Sequence, residues 1–368
     1  MFIILIISLI ITITYCVLVG VSIVGFNKIK ENNTIVKIED KYISIVIAVR
    51  NEELNIKQCL ASLLNQTYSK SQYEIIVVND HSDDSTLSIL NEYKEENIKV
   101  LSLPEGRNSK KEALKFGINK ARYAIIATTD GDCILPTNWL QTIANNIEEG
   151  TDMLLGPVAF NYKKGFLNAF QQLDMIAMQA FEFGLLAFNK PVLNNGANLS
   201  FTKNSYLNVD GYDNYKTPSG DDIFLLEKFK QQDLGIRGVL DSCFIVETSS
   251  TTTVKEFMNQ RLRWASKSKF FKGNFLQFLS ITILLQNLVQ LFIYSQVVFI
   301  EKFTYIYVIL LLSKWLIDFI LLFLVAIFFK RSKALLYFIP VQLIYPFYIM
   351  VVGFSSFFMK FEWKGRKY

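Results

Sequence analysis

The groups able to do chemistry in this chain are mostly carboxylates set after apolar runs. Asp130-Gly131-Asp132 follows Tyr123–Thr129 (YAIIATT). Two carboxylates flanking a glycine can converge on one hard cation, and Mg2+ or Mn2+ takes such oxygen ligands and bridges diphosphate oxygens. The same residues also make an ordinary acidic turn. Asp80 comes just after Tyr73–Val78 (YEIIVV). A carboxylate there can accept a hydrogen bond from a base-edge N–H, whereas Asp84, further along, reads as a helix cap. Gly220-Asp221-Asp222 precedes the helical run Ile223–Phe229. One of these acids can act as general base on a substrate hydroxyl, or both can simply favour the positive end of the helix dipole; the two readings weigh equally. Gln260-Arg261-Leu262-Arg263-Trp264 lies on a helix begun near Thr253, with Gln260, Arg263 and Trp264 on one face at i, i+3 and i+4. Arginine neutralises a diphosphate and tryptophan packs on a sugar ring. A basic helix at a lipid interface uses the same residues. Lys110 opens a helix, where it is either a solvated surface lysine or a diphosphate contact.

These groups need elements to hold them. Tyr42–Val49 (YISIVIAV), Tyr73–Val78, Ile98–Leu103 and Tyr123–Thr129 read as buried strands. Helical patterns alternate with them at Glu53–Gln66, from Ser85, at Lys110–Lys120 and after Pro136-Thr137. That alternation predicts a parallel, doubly wound α/β sheet. Ligands of such sheets bind beyond the carboxyl ends of the strands. Three of the four strands end there in polar groups: Arg50-Asn51-Glu52, Asp80 and Asp130-Gly131-Asp132. No G-x-G-x-x-G follows the first strand and no G-x-x-x-x-G-K-[ST] occurs anywhere, which disfavours a dinucleotide enzyme or a P-loop ATPase. Diphosphate charge must then be met by a metal and basic side chains.

Of the 368 residues, 51% are hydrophobic and only 19% charged, below the roughly 25% of soluble domains. The apolar excess sits at the two ends. Residues 1–27 hold no Asp, Glu, Lys or Arg, and three apolar runs follow at Leu276–Ile300, Phe303–Phe329 and Ala334–Met359. The first stretch is long enough for an uncleaved anchor, since a span needs about 20 apolar residues. Lys28, Lys30 and Lys37 follow it, so the positive-inside tendency puts the middle of the chain in the cytoplasm. Within the later runs, Lys314 and Asp318 can pair at i,i+4, Gln286, Asn287, Gln290 and Gln296 let the first run line a protein interface or lie flat, and Pro340 and Pro346 allow a kink or a re-entrant shape in the last. Two or three C-terminal spans fit, and basic residues at 330–333 and in the tail (Lys360, Lys364, Arg366, Lys367) leave the tail's side open. The expected organisation is an anchor over 1–27, an α/β domain over 28–274 and a membrane region over 275–368. A net charge of +5 is too weak to point to nucleic acid. Four scattered cysteines give neither a disulfide framework nor a zinc site, and the single histidine, His81, excludes multi-histidine metal sites and reads as a turn residue.

Taken in order, ISIVIAVRNEE (43–53), EIIVVNDHSDDST (74–86), SKKEAL (109–114), DGD (130–132), NGANLSF (195–201), GDD (220–222) and QRLRW (260–264) resemble the family 2 glycosyltransferases with a GT-A fold. The resemblance covers about residues 42–270 and implies an inverting transfer from a nucleotide-diphosphate sugar, with a UDP-sugar the leading expectation. It implies Asp80 as the base-contacting aspartate, with Glu52 also on the donor side. Asp130 and Asp132 become the Mg2+ or Mn2+ and diphosphate pair, and Lys110 and Arg263 donor contacts. Asp222 becomes the general base with Asp221 beside it, and Gln260 and Trp264 fall on the acceptor side through the Q-x-x-R-W motif. Ala48 stands where many members have proline, and the membrane region is short for a polymer channel. The expectation is a multi-pass membrane enzyme with a lipid-linked or cell-envelope glycan acceptor. A processive polysaccharide synthase and a membrane-anchored nucleotidyltransferase are the alternatives; converging carboxylates argue against a non-catalytic scaffold.

Overall fold

The computed structural model describes residues 2–31, 41–93, 97–213, 220–267, 274–299, 304–358, 362–363 and 366–367. Lys37, Lys360 and Lys364, named above, lie outside the described residues. The chain divides into two compact units, one formed by residues 28–161 and 189–249, the other by 1–27, 162–188 and 250–368.

Among the described residues, the first unit has nine strands: β1 (Ile43–Val49), β2 (Tyr73–Asn79), β3 (Ile98–Ser102), β4 (Ile125–Asp130), β5 (Met153–Leu155), β6 (Val158–Phe160), β7 (Leu199–Thr202), β8 (Ile236–Gly238) and β9 (Val246–Thr248). Seven of them form one sheet in the order β3-β2-β1-β4-β7-β5-β8, and β6 pairs with β9 separately. Isoleucine and valine runs make β1 and β2 buried nearly throughout, as a sheet covered on both faces requires. β1, β2, β3 and β4 pair in parallel, as the alternating pattern predicts. β7 does not follow that pattern and runs antiparallel to both β4 and β5. The physical reason is the chain path: residues 162–188 belong to the other unit, and the chain re-enters beside the carboxyl end of β4, where Thr128 Oγ1 donates to the carbonyl of Gly196 (3.0 Å). From there it can only run back against β4.

The helices are α1 (Phe2–Glu31), α2 (Ile56–Leu64), α3 (Thr86–Leu90), α4 (Lys110–Lys120), α5 (Trp139–Asn146), α6 (Phe166–Leu186), α7 (Lys203–Asn208), α8 (Asp221–Gln231), α9 (Val254–Ala265), α10 (Asn274–Phe299), α11 (Thr304–Phe328) and α12 (Phe338–Phe358). Of these, α2–α5, α7 and α8 belong to the sheet unit. In the second unit, α1 and α6 cross so closely that a Cβ added to Gly25 would lie 1.9 Å from the carbonyl oxygen of Gly184. Small residues let backbones meet in this way. Among the described residues, four stretches are long and apolar enough to cross a membrane: Phe2–Glu31, Asn274–Gln296, Tyr305–Phe328 and Ser332–Ser356. Their outward side chains include Ile3, Ile10, Ile281, Ile309, Leu316, Phe323, Phe347 and Phe354. An exterior this apolar suits lipid, not water. Gln286, Asn287 and Gln290 of α10 face inward and are almost fully buried. Pro346 sits inside a continuous α12.

Candidate active site

The parallel register of the central strands sets the site. Val49 pairs with Asn79, and Ala48 with Asp130, so β1, β2 and β4 end at one level. The loops leaving that level turn sharply: Asn51 (φ 52°) after β1 and His81 (φ 51°) after β2 both adopt left-handed backbone, which asparagine and histidine tolerate better than most residues. The two turns are laced together. Arg50 Nη1 donates to the carbonyl of Asp80 (2.9 Å), Ser82 Oγ accepts from Asn51 N (3.1 Å), and Thr86 Oγ1 accepts from Glu52 N (2.8 Å). Asp84 stands just ahead of α3, whose N-cap is Ser85, and accepts from Thr86 N (3.0 Å) and Glu53 N (3.2 Å). Burial alone would raise its carboxyl, but these hydrogen bonds win and hold it below the usual range.

Asp80 is buried, and its Oδ2 accepts from Ser109 N at 3.2 Å. Ser109 caps α4 through Glu112 N and carries φ 124°, a strained conformation for a residue with a Cβ. The strain brings the start of α4 onto the β2 end. Lys110, the first residue of α4, then reaches Asp130, with Nζ 2.5 Å from Oδ1; the two side chains are 21% and 33% exposed. Glu52 is nearly buried, and its Oε2 accepts from Asn55 Nδ2 (3.1 Å). Gly131 lets the β1 and β4 ends approach: a Cβ there would lie 2.9 Å from Val49 Cγ1 and 3.2 Å from Glu52 Cγ. Asp132 Oδ2 accepts from Thr248 Oγ1 of β9 (3.1 Å). Under this pair, Cys59 Sγ donates to the carbonyl of Asp130 (3.5 Å). The Cys59 and Cys133 thiols are pushed well up, first by burial and then by the charges of Asp132 and Asp130.

Asp222 stands in the first turn of α8, after Gly220 at φ 100°. Its Oδ1 accepts from Ile223 N (2.8 Å), and its carbonyl accepts from Asn194 Nδ2 (3.1 Å). Asn194 precedes the Asn195-Gly196 turn that is bonded to Thr128 of β4. Two short links therefore tie Asp222 to the strand that ends in Asp130. Asp221 opens the same helix.

The structure thus brings Glu52, Asp80, Lys110, Asp130 and Asp132 to one end of the sheet, with Asp222 tethered to that end. Gln260, Arg263 and Trp264 belong to α9 of the other unit, each half-buried. The helix starts where the sequence places it, near Thr253, and opens with a capping box of Thr253 with Glu256. Two residues there escaped sequence reasoning: Asp174 of α6 and Arg261, which form a buried ion pair (2.7 Å). Arg261 occupies a variable position within Q-x-x-R-W, and nothing in the composition of Phe166–Leu186 marks Asp174.

The donor set fits a hard divalent cation. Asp130 and Asp132 offer oxygen ligands, and Asp130 is partly open to solvent. Among the described residues no group of three or more His, Cys, Asp or Glu converges as a metal cage. Two carboxylates suit an ion that completes its shell with substrate phosphate and water, as Mg2+ does.

Residues 44–207 match the Glycosyl transferase family 2 profile. The glycosyltransferase AglE of Haloferax volcanii is 36% identical over 34% of this chain and 41% of its own. The poly(ribitol-phosphate) beta-glucosyltransferase of Bacillus spizizenii is 40% identical over 31% of this chain and 18% of its own. The probable glycosyltransferase YdaM of Bacillus subtilis is 25% identical over 64% of this chain and 57% of its own. The chain therefore spans less than two thirds of each of these curated relatives. Among solved structures, the mannosyltransferase PcManGT from Pyrobaculum calidifontis, in complex with GDP-Man and Mn2+, superposes with a TM-score of 0.54. That likeness covers 95% of this chain and 98% of the other at 14% identity, and speaks for the fold. Residues 44–207 are accordingly a glycosyl transferase family 2 domain, and their sheet is of the GT-A type.

Proposed function

We propose that this chain is a membrane-bound, inverting glycosyltransferase that moves a sugar from a nucleotide-diphosphate donor to a hydroxyl of a lipid-linked or cell-envelope glycan acceptor. The observation that carries the reading is the Lys110–Asp130 pair, partly open to solvent, at the strand ends that also hold Asp80 and Asp132. Asp80 and Glu52 serve the donor side, Asp80 toward the nucleobase. Lys110 and Arg263 meet diphosphate charge. Asp130 and Asp132 hold Mg2+ or Mn2+, which when bound neutralises charge on the leaving diphosphate. Mn2+ with GDP-Man in the Pyrobaculum calidifontis structure supports that choice of ion class.

Asp222 takes the proton of the acceptor hydroxyl as its oxygen attacks the anomeric carbon, with Asp221 beside it. The bond to the diphosphate oxygen breaks, and a nucleoside diphosphate leaves. One direct displacement inverts the centre and needs one base. Gln260 and Trp264 work on the acceptor side.

The sheet unit lies on the cytoplasmic side, where nucleotide sugars are made. Lys28 and Lys30 close α1 and support that orientation. Cys243 is exposed in the sheet unit. An impermeant thiol reagent should label it only after cells are opened, and labelling on intact cells overturns the orientation.

The test of the activity uses full-length protein in detergent with Mg2+ and a panel of UDP- and GDP-sugars. Release of nucleoside diphosphate, with product of inverted configuration, is expected. Release of pyrophosphate instead identifies a nucleotidyltransferase.

A further inference from the structure

Helix α9 is gripped through a residue that the Q-x-x-R-W pattern leaves unspecified. Arg261 is 3% exposed, and its Nε donates to Asp174 Oδ2 on α6 at 2.7 Å. The other oxygen of Asp174 accepts from the Tyr345 hydroxyl of α12 (3.1 Å). On its far side the guanidinium does two things. Nη1 donates to Gln260 Oε1 (2.7 Å), and Cζ lies 4.2 Å from the centroid of the Trp264 ring and 4.7 Å from that of Phe257. One fixed cation therefore touches both Gln260 and Trp264.

We propose that Asp174 and Arg261 are positioning residues that hold the Gln260 amide and the Trp264 ring in the geometry needed to receive the acceptor. This rests on the acceptor-side reading of α9 given above. A buried ion pair is a weak stabiliser compared with apolar packing of the same volume. What it supplies is direction. Asp174 fixes the plane of the guanidinium, and that plane fixes the ring stacked on it and the amide bonded to its edge. Lysine keeps the charge but has no plane to stack and no fork to share between Asp174 and Gln260.

The test compares full-length wild type with Arg261→Lys, Asp174→Asn and Asp174→Glu in detergent. The donor is whichever of UDP-glucose, UDP-N-acetylglucosamine or GDP-mannose the wild type consumes, and farnesyl-diphospho-N-acetylglucosamine, a lipid-linked sugar with free hydroxyls, is the acceptor probe. Arg261→Lys should elute and melt like wild type, raise the KM for that acceptor at least tenfold and leave the donor KM within twofold. Asp174→Glu should recover most of what Asp174→Asn loses. A second readout needs no turnover. Acrylamide quenching of the Trp264 component, taken as the difference from Trp264→Phe, should at least double in Arg261→Lys. Unchanged quenching, or equal loss in the donor and acceptor constants, overturns the proposal. If the wild type consumes no donor with this probe, the transferase reading fails on its own. The quenching difference then still decides whether Arg261 orients Trp264.

Discussion

Two lysine–aspartate pairs, one in each unit, use the same chemical groups to opposite ends. Lys110 and Asp130 meet at 2.5 Å with side chains 21% and 33% exposed. Lys314 and Asp318 meet at 2.8 Å within α11, 2% and 10% exposed. The second pair is also sealed by neighbours. Lys314 Nζ donates to Gln342 Oε1 (2.7 Å), while Asp318 accepts from Gln342 Nε2 (2.8 Å) and from the Tyr15 hydroxyl (2.7 Å). Gln290 Nε2 reaches the carbonyl of Gln342 (3.0 Å), so α1, α10, α11 and α12 share one polar knot. Charges in an apolar span are costly unless paired in this way. Solvent access separates the two roles. A pair that water reaches can exchange its partner for a phosphate oxygen or a metal ion at little cost. A sealed pair cannot open without leaving an uncompensated charge, so it locks helices together.

The sharpest way to break this comparison is to remove one charged partner from each pair. Asp130→Ala should cut transfer by roughly 10³-fold, the scale of losing a principal electrostatic stabiliser of the leaving group, and leave the unfolding transition near that of wild type. Excess chelator should do the same, and full activity in chelator would sink the metal assignment. Lys314→Met should do the reverse. Stranding Asp318 should cost about 3–5 kcal/mol of stability, read as lower thermal resistance in detergent. Lys314→Met with Asp318→Asn should recover part of it. A Lys314→Met protein as stable as wild type contradicts the lock.

A smaller effect is expected at Arg263. If it meets diphosphate in a bidentate geometry, Arg263→Lys loses one charge-assisted hydrogen bond, about 1.5–3 kcal/mol, or roughly 10- to 100-fold in rate. Wild-type activity would make α9 a membrane-interface anchor and no more.

The smallest effect concerns Glu74 on β2, which accepts from Ser44 Oγ (2.7 Å), Lys99 Nζ (2.9 Å) and Arg122 N (2.6 Å). Burial alone would raise its carboxyl; the Arg122 N–H, Lys99 and Ser44 overcome that and hold it low. Because the folded value lies below the unfolded one, Glu74 stabilises the fold above the ordinary carboxylate range. That contribution is lost as pH falls through the folded value. Stability measured against pH should therefore fall less steeply on the acid side in Glu74→Gln.

Much of the site was legible because it obeys local rules. The strands β1, β2 and β4 are rich in isoleucine, valine and threonine, and their polar ends fall at one level once they pair in register. Asp84 was legible as a carboxylate at a helix start, where it accepts from Thr86 N, and Thr253 marked the start of α9. The Lys314–Asp318 spacing predicted its own pair. What escaped depends on long-range packing. The four residues of β7 are too short to signal direction. Helix α6 is buried on nearly every side, so it shows no amphipathic stripe. Asp174 gains its meaning only from Arg261, 87 positions away. Arg261 was hidden by its neighbours, since pattern reasoning spent the helix face on Gln260, Arg263 and Trp264.

The central claim is that the solvent-reached carboxylates at the strand ends hold a nucleotide diphosphate through a divalent ion. Calorimetric titration of UDP and GDP into full-length protein in detergent, with and without Mg2+ or Mn2+, tests it most directly. Saturable binding of at least one nucleotide that requires the ion, is lost in Asp130→Ala and is kept in Asp222→Asn is the predicted result. Binding of equal strength without the ion, or undiminished in Asp130→Ala, would contradict it.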